Sequence, residues 1–409
     1  MKTMNKTLIA TAMSSAVSLV ASPAFAAGFQ LNSQSATMLG RAAAGDAIIA
    51  DNAAVLARNP AAMALFDEKA FSVGLAYVAP EVEVSNVEFN GTELGSIENA
   101  AESSPVPNIY YIQPVGDKWA FGFGAFTNFG TGTDTAELLK DNPVSPDLLG
   151  KTEVKSMTLN ASMSYRINDY LSLGAGIDVV YGMGTLTRNG NIGPVPFEAV
   201  NADASGIGIG GIIGLAYEIN DNHRLGFSYR FSPDIDATGD IFYLNREQDE
   251  LHVPLADIAQ FAGYHKLTQK FALHYTAQWT NWSNFEAVDY TGLDGSYNQL
   301  KEYAWKDSWF LSLGGTYDIN EKWTVRAGYG FDQGVIDEVE SVSIPDSDRQ
   351  WVSLGASYRL SPTSSLDIGY TKVIGEEVNV VENSVLGGVL NATTEAGANY
   401  VGIQYSRSF

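Results

Sequence analysis

A chain of 409 residues that carries 47 Asp and Glu against 24 Lys and Arg, with no Cys, 40 Gly, 20 Tyr and 19 Phe, excludes several classes of protein at once. The formal charge of −23 argues against a nucleic-acid partner, and without Cys there is no disulfide framework, thiolate metal site or cysteine nucleophile. The length would hold two or three soluble domains, but Gly and aromatic residues recur throughout with no compositional boundary, which fits one large β structure.

Residues 1–26 read as a secretory signal. Lys2 and Lys6 form a basic start, Leu8 to Val20 an apolar stretch too short for a membrane helix, and Ala24-Phe25-Ala26 fits the small-x-small cleavage rule. Cleavage would leave Ala27 as the first residue and lower the formal charge from −23 to −25 by removing the two Lys. Residues 27–68 are rich in small side chains and do not alternate, and the period-two pattern begins at Phe71, Val73, Leu75 and Tyr77.

From there the chain reads as strands. Trp309, Leu311, Leu313 and Tyr317 alternate with Ser308, Ser312, Gly314 and Thr316, and Trp323, Val325, Ala327, Tyr329 and Phe331 alternate with Thr324, Arg326, Gly328, Gly330 and Asp332. Aromatic residues at strand ends suit the two interfaces of a bilayer. A short turn recurs after Tyr111, Tyr165, Tyr217, Tyr264, Tyr317 and Tyr358, at intervals of 41 to 54 residues. Each interval holds two strands and one long loop, so six short turns divide the chain into seven antiparallel pairs. The expected fold is therefore an all-β membrane protein: a 14-stranded antiparallel transmembrane β-barrel over 69–409, with an N-terminal hatch over 27–68 in its lumen. A periplasmic tail is the other reading of that segment. The terminal alternation of Val401, Ile403, Tyr405 and Phe409 ends on an aromatic carboxyl terminus, similar to the signal read by the barrel-assembly machinery.

Gly28-Phe29-Gln30-Leu31-Asn32, Gly40-Arg41-Ala42, Arg58-Asn59-Pro60-Ala61-Ala62-Met63, Asn128-Phe129-Gly130, Trp282-Ser283-Asn284-Phe285, Lys306-Asp307 and Ser343-Ile344-Pro345-Asp346 stand in an ordered series along the chain. That series resembles the FadL family of outer-membrane long-chain fatty acid transporters. The resemblance implies capture of a long-chain fatty acid at an extracellular apolar site, passage to an interior pocket gated by the hatch, and lateral release through a kinked third strand. It also implies a Gram-negative outer membrane with lipid and lipopolysaccharide around a monomer. Relatives that carry monoaromatic hydrocarbons or other small apolar compounds leave a second ligand class open.

The resemblance places Ala27, Phe29, Arg188 and Lys306 at the ligand, Asn59, Pro60 and Ala61 in the hatch fold, and Asn128, Phe129 and Gly130 at the lateral gate. Strand parity independently points Arg188, Lys306, Arg326 and Arg349 inward. At about 3.3 Å per residue and about 40° of tilt, Lys306 would stand roughly 28 Å and Arg188 roughly 43 Å above the short turns. Pairing of these cations with lumenal acids such as Asp178 and Asp332 is the competing reading, as plain hatch packing is for Phe29 and an ordinary strand end for Asn128 to Gly130. The four His, His223, His252, His265 and His274, lie in no Gly-x-Ser-x-Gly or His-Glu-x-x-His pattern, so no enzyme is expected. A water-filled porin would not need the hatch. The acidic loops around Glu81 to Glu102, Asp134 to Asp147 and Asp234 to Glu250 read as solvated surface without ordered Ca²⁺-loop spacing, and no metal or cofactor is expected.

Overall fold

Strands that alternate with period two must satisfy two different surroundings. Here the apolar side faces out: Leu75, Phe123, Leu159, Ile177, Ile209, Leu313, Leu354 and Ile403 are exposed, whereas Asn108, Asn160, Asp178, Gln278, Ser353, Thr371 and Gln404 are buried. Such an inverted pattern is stable where the outer medium is hydrocarbon. The computed structural model describes residues 28–139, 144–192, 194–337 and 339–409; the signal segment and Ala27 lie outside the described residues.

Fourteen strands pair in one antiparallel ring: β1 Ala70–Phe89, β2 Ser104–Val115, β3 Trp119–Phe126, β4 Lys151–Arg166, β5 Leu171–Ile192, β6 Val195–Asn220, β7 His223–Phe231, β8 Ile258–Lys266, β9 Phe271–Thr280, β10 Ser308–Asp318, β11 Trp323–Asp332, β12 Arg349–Ser361, β13 Ser364–Gly375 and β14 Val389–Ser408. Neighbours in sequence are neighbours in the ring, and β1 closes it on β14 from Ala70↔Ser408 to Phe89↔Leu390. The strand number thus equals the one counted from the Tyr-marked turns. Closure leaves no unpaired edge, the condition a sheet must meet in lipid. No helix among the described residues is long and apolar enough to cross a membrane.

The short turns join β2 to β3, β4 to β5, β6 to β7, β8 to β9, β10 to β11 and β12 to β13. Aromatic pairs sit beside them, Trp119 with Tyr165 at 4.6 Å and Trp323 with Tyr358 at 4.8 Å between ring centroids. Arg407, which sequence parity puts on the apolar face, lies over the Phe409 ring at 4.7 Å, so its stem covers apolar surface while its charge reaches the interface. On the opposite side β5 and β6 join across two residues, and the other connections are longer and partly folded: Ile235–Tyr243 pairs with the outer part of β6, and the pairing continues through Arg246–Val253, Ala287–Gly292 and Tyr297–Glu302.

Residues 28–63 are almost entirely buried. The one-turn helix α1, Ala36–Leu39, is capped by the Ser35 hydroxyl and packs on β12, β13 and β14, while the 3-10 turn Pro60–Leu65 packs on β4, β5 and β6. A segment that touches such distant parts of the ring fills its interior. Glycines in the wall make that possible. A Cβ on Gly328 would stand 2.2 Å from the Arg41 carbonyl oxygen, and one on Gly174 would stand 2.2 Å from the Ala61 nitrogen.

Leu313→Arg, with its side chain on the lipid face in the middle of β10, is expected to cost about 2–4 kcal/mol of barrel stability. Urea midpoints in phospholipid vesicles check this; a change within about 0.5 kcal/mol would contradict the outward assignment.

Candidate ligand site

The third strand does not run through. β3 pairs with β4 up to Phe126↔Thr158, and pairing resumes only at Gly130↔Lys155, so the four-residue step on one side faces a three-residue step on the other. Across the other edge, β2 meets β3 from Ile109↔Ala125 to Val115↔Trp119, and Ser104 to Asn108 pair with β1 alone. The wall is therefore open beside Thr127 to Phe129.

The interior segment supplies the missing backbone partners. Gln30 bridges Phe129, the Leu31 N–H donates to the Asn128 carbonyl at 2.7 Å, and the Gly130 N–H donates to the Phe29 carbonyl at 2.8 Å. The Gln34 amide reaches the Thr127 carbonyl at 2.7 Å, and Ser156 of β4 holds both the N–H and the carbonyl of Phe129. Buried backbone groups need such partners. Asn128, Phe129 and Gly130 thus form an interrupted strand, not an ordinary strand end.

Above this repair lies an aromatic cluster. Phe29, fully buried, meets Trp282 at 4.7 Å, Phe285 at 5.1 Å, Trp305 at 5.8 Å and Phe129 at 5.9 Å between centroids, mostly edge-on. Phe285 and Tyr303 then line a cavity of about 80 Å³ with Val154, Met183, Leu186, Ile235, Leu251, Leu255 and Ile344, and the paired Glu153 and Lys155 stand at its wall as well. Trp282, Phe285, Tyr303 and Trp305 sit between β9 and β10, off the strand periodicity. Six aromatics in one connection, these four with Tyr290 and Tyr297, were the available signal.

Arg188 lies at the cavity's edge. Thr152, which its guanidinium bonds at 2.7 Å, and Leu186, two residues earlier on the same strand, both line the cavity. Its other donors meet the Lys151 carbonyl at 2.9 Å and the Thr187 carbonyl at 2.7 Å. Arg188 is 2% exposed, its Nε has no hydrogen-bond partner, and among the described residues no carboxylate lies within ion-pair distance. A buried cation is costly without a close counter-charge, and among the described residues Glu382 and Asp147 act on Arg188 only from beyond ion-pair distance.

Other lumenal cations follow the pairing reading. Arg230 meets Asp178, Arg326 meets Asp51 at 3.4 Å, and the buried Arg349 meets Asp346. Within the interior segment Arg41 meets Asp46 at 2.8 Å and Asp51 at 2.7 Å. Burial opposes the charge on Asp51, yet Arg41 and Arg326 hold its carboxyl down at about 2. Lys306 departs from the expectation drawn from parity. β10 begins at Ser308, so alternation does not extend to Lys306, which is partly exposed and stands 3.6 Å from Asp337. Arg188 and Lys306 have no partner in common.

Asn59, Pro60 and Ala61 are remote from the cavity. Asn59 caps the 3-10 turn by accepting the Ala61 N–H at 3.0 Å, and its amide donates to the Ala47 carbonyl at 2.8 Å and to the Leu215 carbonyl of β6 at 3.0 Å. Pro60 occupies the first position of that turn, where a missing N–H costs nothing. Below the interior segment, towards the short turns, a second cavity of about 380 Å³ is lined by charged groups including Asp51, Asp318, Lys322, Arg326 and Arg359. Apolar side chains such as Ile49, Phe66 and Phe271 share its lining with these charges.

Residues 17–409 match the family model described as outer membrane protein transport protein (OMPP1/FadL/TodX). The chain is 33% identical to outer membrane protein P1 of Haemophilus influenzae, with all of both chains covered. It is 31% identical to the long-chain fatty acid transport protein of Escherichia coli K12, covering 91% of this chain and 93% of that one. Among solved structures, a Pseudomonas aeruginosa FadL homologue superimposes with a TM-score of 0.82 at 21% identity, covering 94% of this chain and 100% of the other.

Asn59→Ala removes one cap acceptor and leaves two carbonyls unpaired, at an expected cost of about 1–3 kcal/mol. Hydrogen exchange should show lost protection in residues 59–66 with β9 to β11 unchanged; unaltered protection would remove Asn59 from the seating of this segment.

Proposed function

The chain belongs to the OMPP1/FadL/TodX family of outer-membrane transport proteins, and from that premise we propose that it takes up long-chain fatty acids passively, with Arg188 as the carboxylate partner and residues 27–68 as the hatch. Members of the family are transport channels of the Gram-negative outer membrane and not enzymes. The observation that carries the fatty-acid reading is the buried Arg188, with no carboxylate within ion-pair distance among the described residues, at the edge of an apolar cavity. An alkyl tail satisfies the walls and a carboxylate satisfies the guanidinium. A neutral hydrocarbon would leave that charge unanswered. The relative named for long-chain fatty acid transport supports the same reading.

The physics of the route follows from the solute. A long-chain fatty acid has more than about a dozen CH₂ groups at roughly 0.8 kcal/mol each, so it moves between greasy surfaces and avoids a water-filled lumen. The acidic outer loops do not steer the anion, because exposed charges are screened beyond about 8 Å. Attraction is local, at Arg188.

Cavity size couples binding to opening. About 80 Å³ falls well short of the roughly 300–1,000 Å³ usual for ligand pockets, so an occupying chain must displace part of the lining. Phe29 packs edge-on against Phe285 at the cavity wall, and its own carbonyl holds Gly130. Moving Phe29 therefore removes the backbone bonds that fill the break in the third strand, and the wall opens sideways into the bilayer. No coupled energy source is needed, since the solute runs down its own gradient between two apolar phases.

Labelled oleate is expected to bind the purified protein saturably in a non-ionic detergent. Arg188→Ala should weaken binding by about tenfold or more, as loss of a charged hydrogen bond implies, whereas Lys306→Ala should have the smaller effect. Toluene binding without oleate binding would move the protein to hydrocarbon uptake, and binding of a small sugar would favour a general porin.

A further inference from the structure

The sheet above the barrel has two unlike faces. Ile235, Ala237, Leu251, Val253 and Val288 point from one face into the apolar cavity and form its roof. On the other face the register sets Asp236 opposite His252, and His252 opposite Asp289, with Glu250 opposite Thr291. One imidazole thus stands in a row between two carboxylates, with a third carboxylate two residues away.

Two features separate this arrangement from ordinary acidic surface. Donor atoms of Asp236, Glu250 and His252 all lie within 4.8 Å of one another. The ring of His252 is also fixed: Nε2 meets the Thr291 hydroxyl at 2.7 Å, the Tyr297 ring lies 5.1 Å away, and Nδ1 is turned to Asp236 Oδ1 at 2.7 Å. A metal-bound histidine is commonly held in this way, with the outer ring nitrogen donating to a protein oxygen, and a cation at Nδ1 would displace the proton that bonds Asp236. Carboxylates brought together across a sheet repel, and a cation among them reverses that sign.

We propose that Asp236, Glu250 and His252 bind a divalent transition metal of the Zn²⁺ class on the extracellular side, on the back of the cavity roof. One imidazole with two carboxylates is a donor set that Zn²⁺ accepts, with water completing its coordination. Ca²⁺ and Mg²⁺ favour oxygen donors alone. Because the three ligands come from the adjacent strands Ile235–Tyr243 and Arg246–Val253, the ion would tie together the two strands that carry Ile235, Ala237, Leu251 and Val253 over the cavity. The proposal holds whichever apolar ligand the cavity takes.

The test is a Zn²⁺ titration of the full protein, without a polyhistidine tag, in a non-ionic detergent, with Ca²⁺ in parallel and His252→Ala and Asp236→Asn beside the wild type. One equivalent of Zn²⁺ should bind, and each substitution should weaken it on the order of 100-fold while the variant keeps the heat-dependent gel mobility of a folded barrel. Hydrogen exchange in residues 235–253 should slow when Zn²⁺ is added to the wild type and not to His252→Ala. No Zn²⁺ binding by the wild type, equal binding by folded His252→Ala, Ca²⁺ binding as tight as Zn²⁺, or exchange that Zn²⁺ leaves unchanged would each overturn the proposal.

Discussion

Backbone pairing inside a membrane sets the terms for everything else in this molecule. Hydrocarbon offers no partner to an N–H or C=O group, so a closed ring of strands is the available solution for a β structure, and a break in that ring has to be repaired from within. Here the break falls at Thr127 to Phe129, and the repair comes from Phe29 and Leu31 through two backbone hydrogen bonds of 2.8 and 2.7 Å. Those bonds are replaceable. They belong to a segment that enters the lumen and is held there by caps, ion pairs and close approach to wall glycines, with no covalent tie beyond the chain itself.

The aromatic cluster links this repair to the apolar cavity. Phe29 contributes its side chain to the cluster around Trp282 and Phe285 and its carbonyl to the wall. Side chain and main chain of one residue cannot move independently over several ångströms, so a disturbance of the aromatic packing becomes a disturbance of the wall. The ion-paired network further down, Arg41 with Asp46 and Asp51 and Arg326 with Asp51, keeps the remainder of the segment seated. On the proposed route, opening is confined to residues near 29–34 and leaves that network in place.

Much of the barrel was legible because its rules are one-dimensional. Period two fixed which side chains meet lipid, and the Tyr-marked turns fixed the number of strands, since each turn must reverse the chain. Arg188 was reachable by parity because the register of β5 with β6 holds without a shift from Leu171 up to it. Lys306 was not, because the strand begins two residues later and alternation carries no meaning before it. The aromatic wall of Trp282, Phe285, Tyr303 and Trp305 comes from irregular chain brought together by packing, which no spacing expresses. The row of Asp236, His252 and Asp289 depends on the register of three strands in the outer connections, and in the sequence these residues look like scattered surface charge.

On the proposed route, residues 29–34 act as a removable part of the wall. Gln30→Cys combined with Phe129→Cys places two thiols on directly bridged residues of antiparallel chain, within the reach of a disulfide, in a protein that has no other cysteine. Uptake of labelled oleate should stop when this pair is oxidised and return on reduction. Equal uptake by the oxidised and reduced protein would contradict the account, because transport would then proceed with the segment bonded across the break.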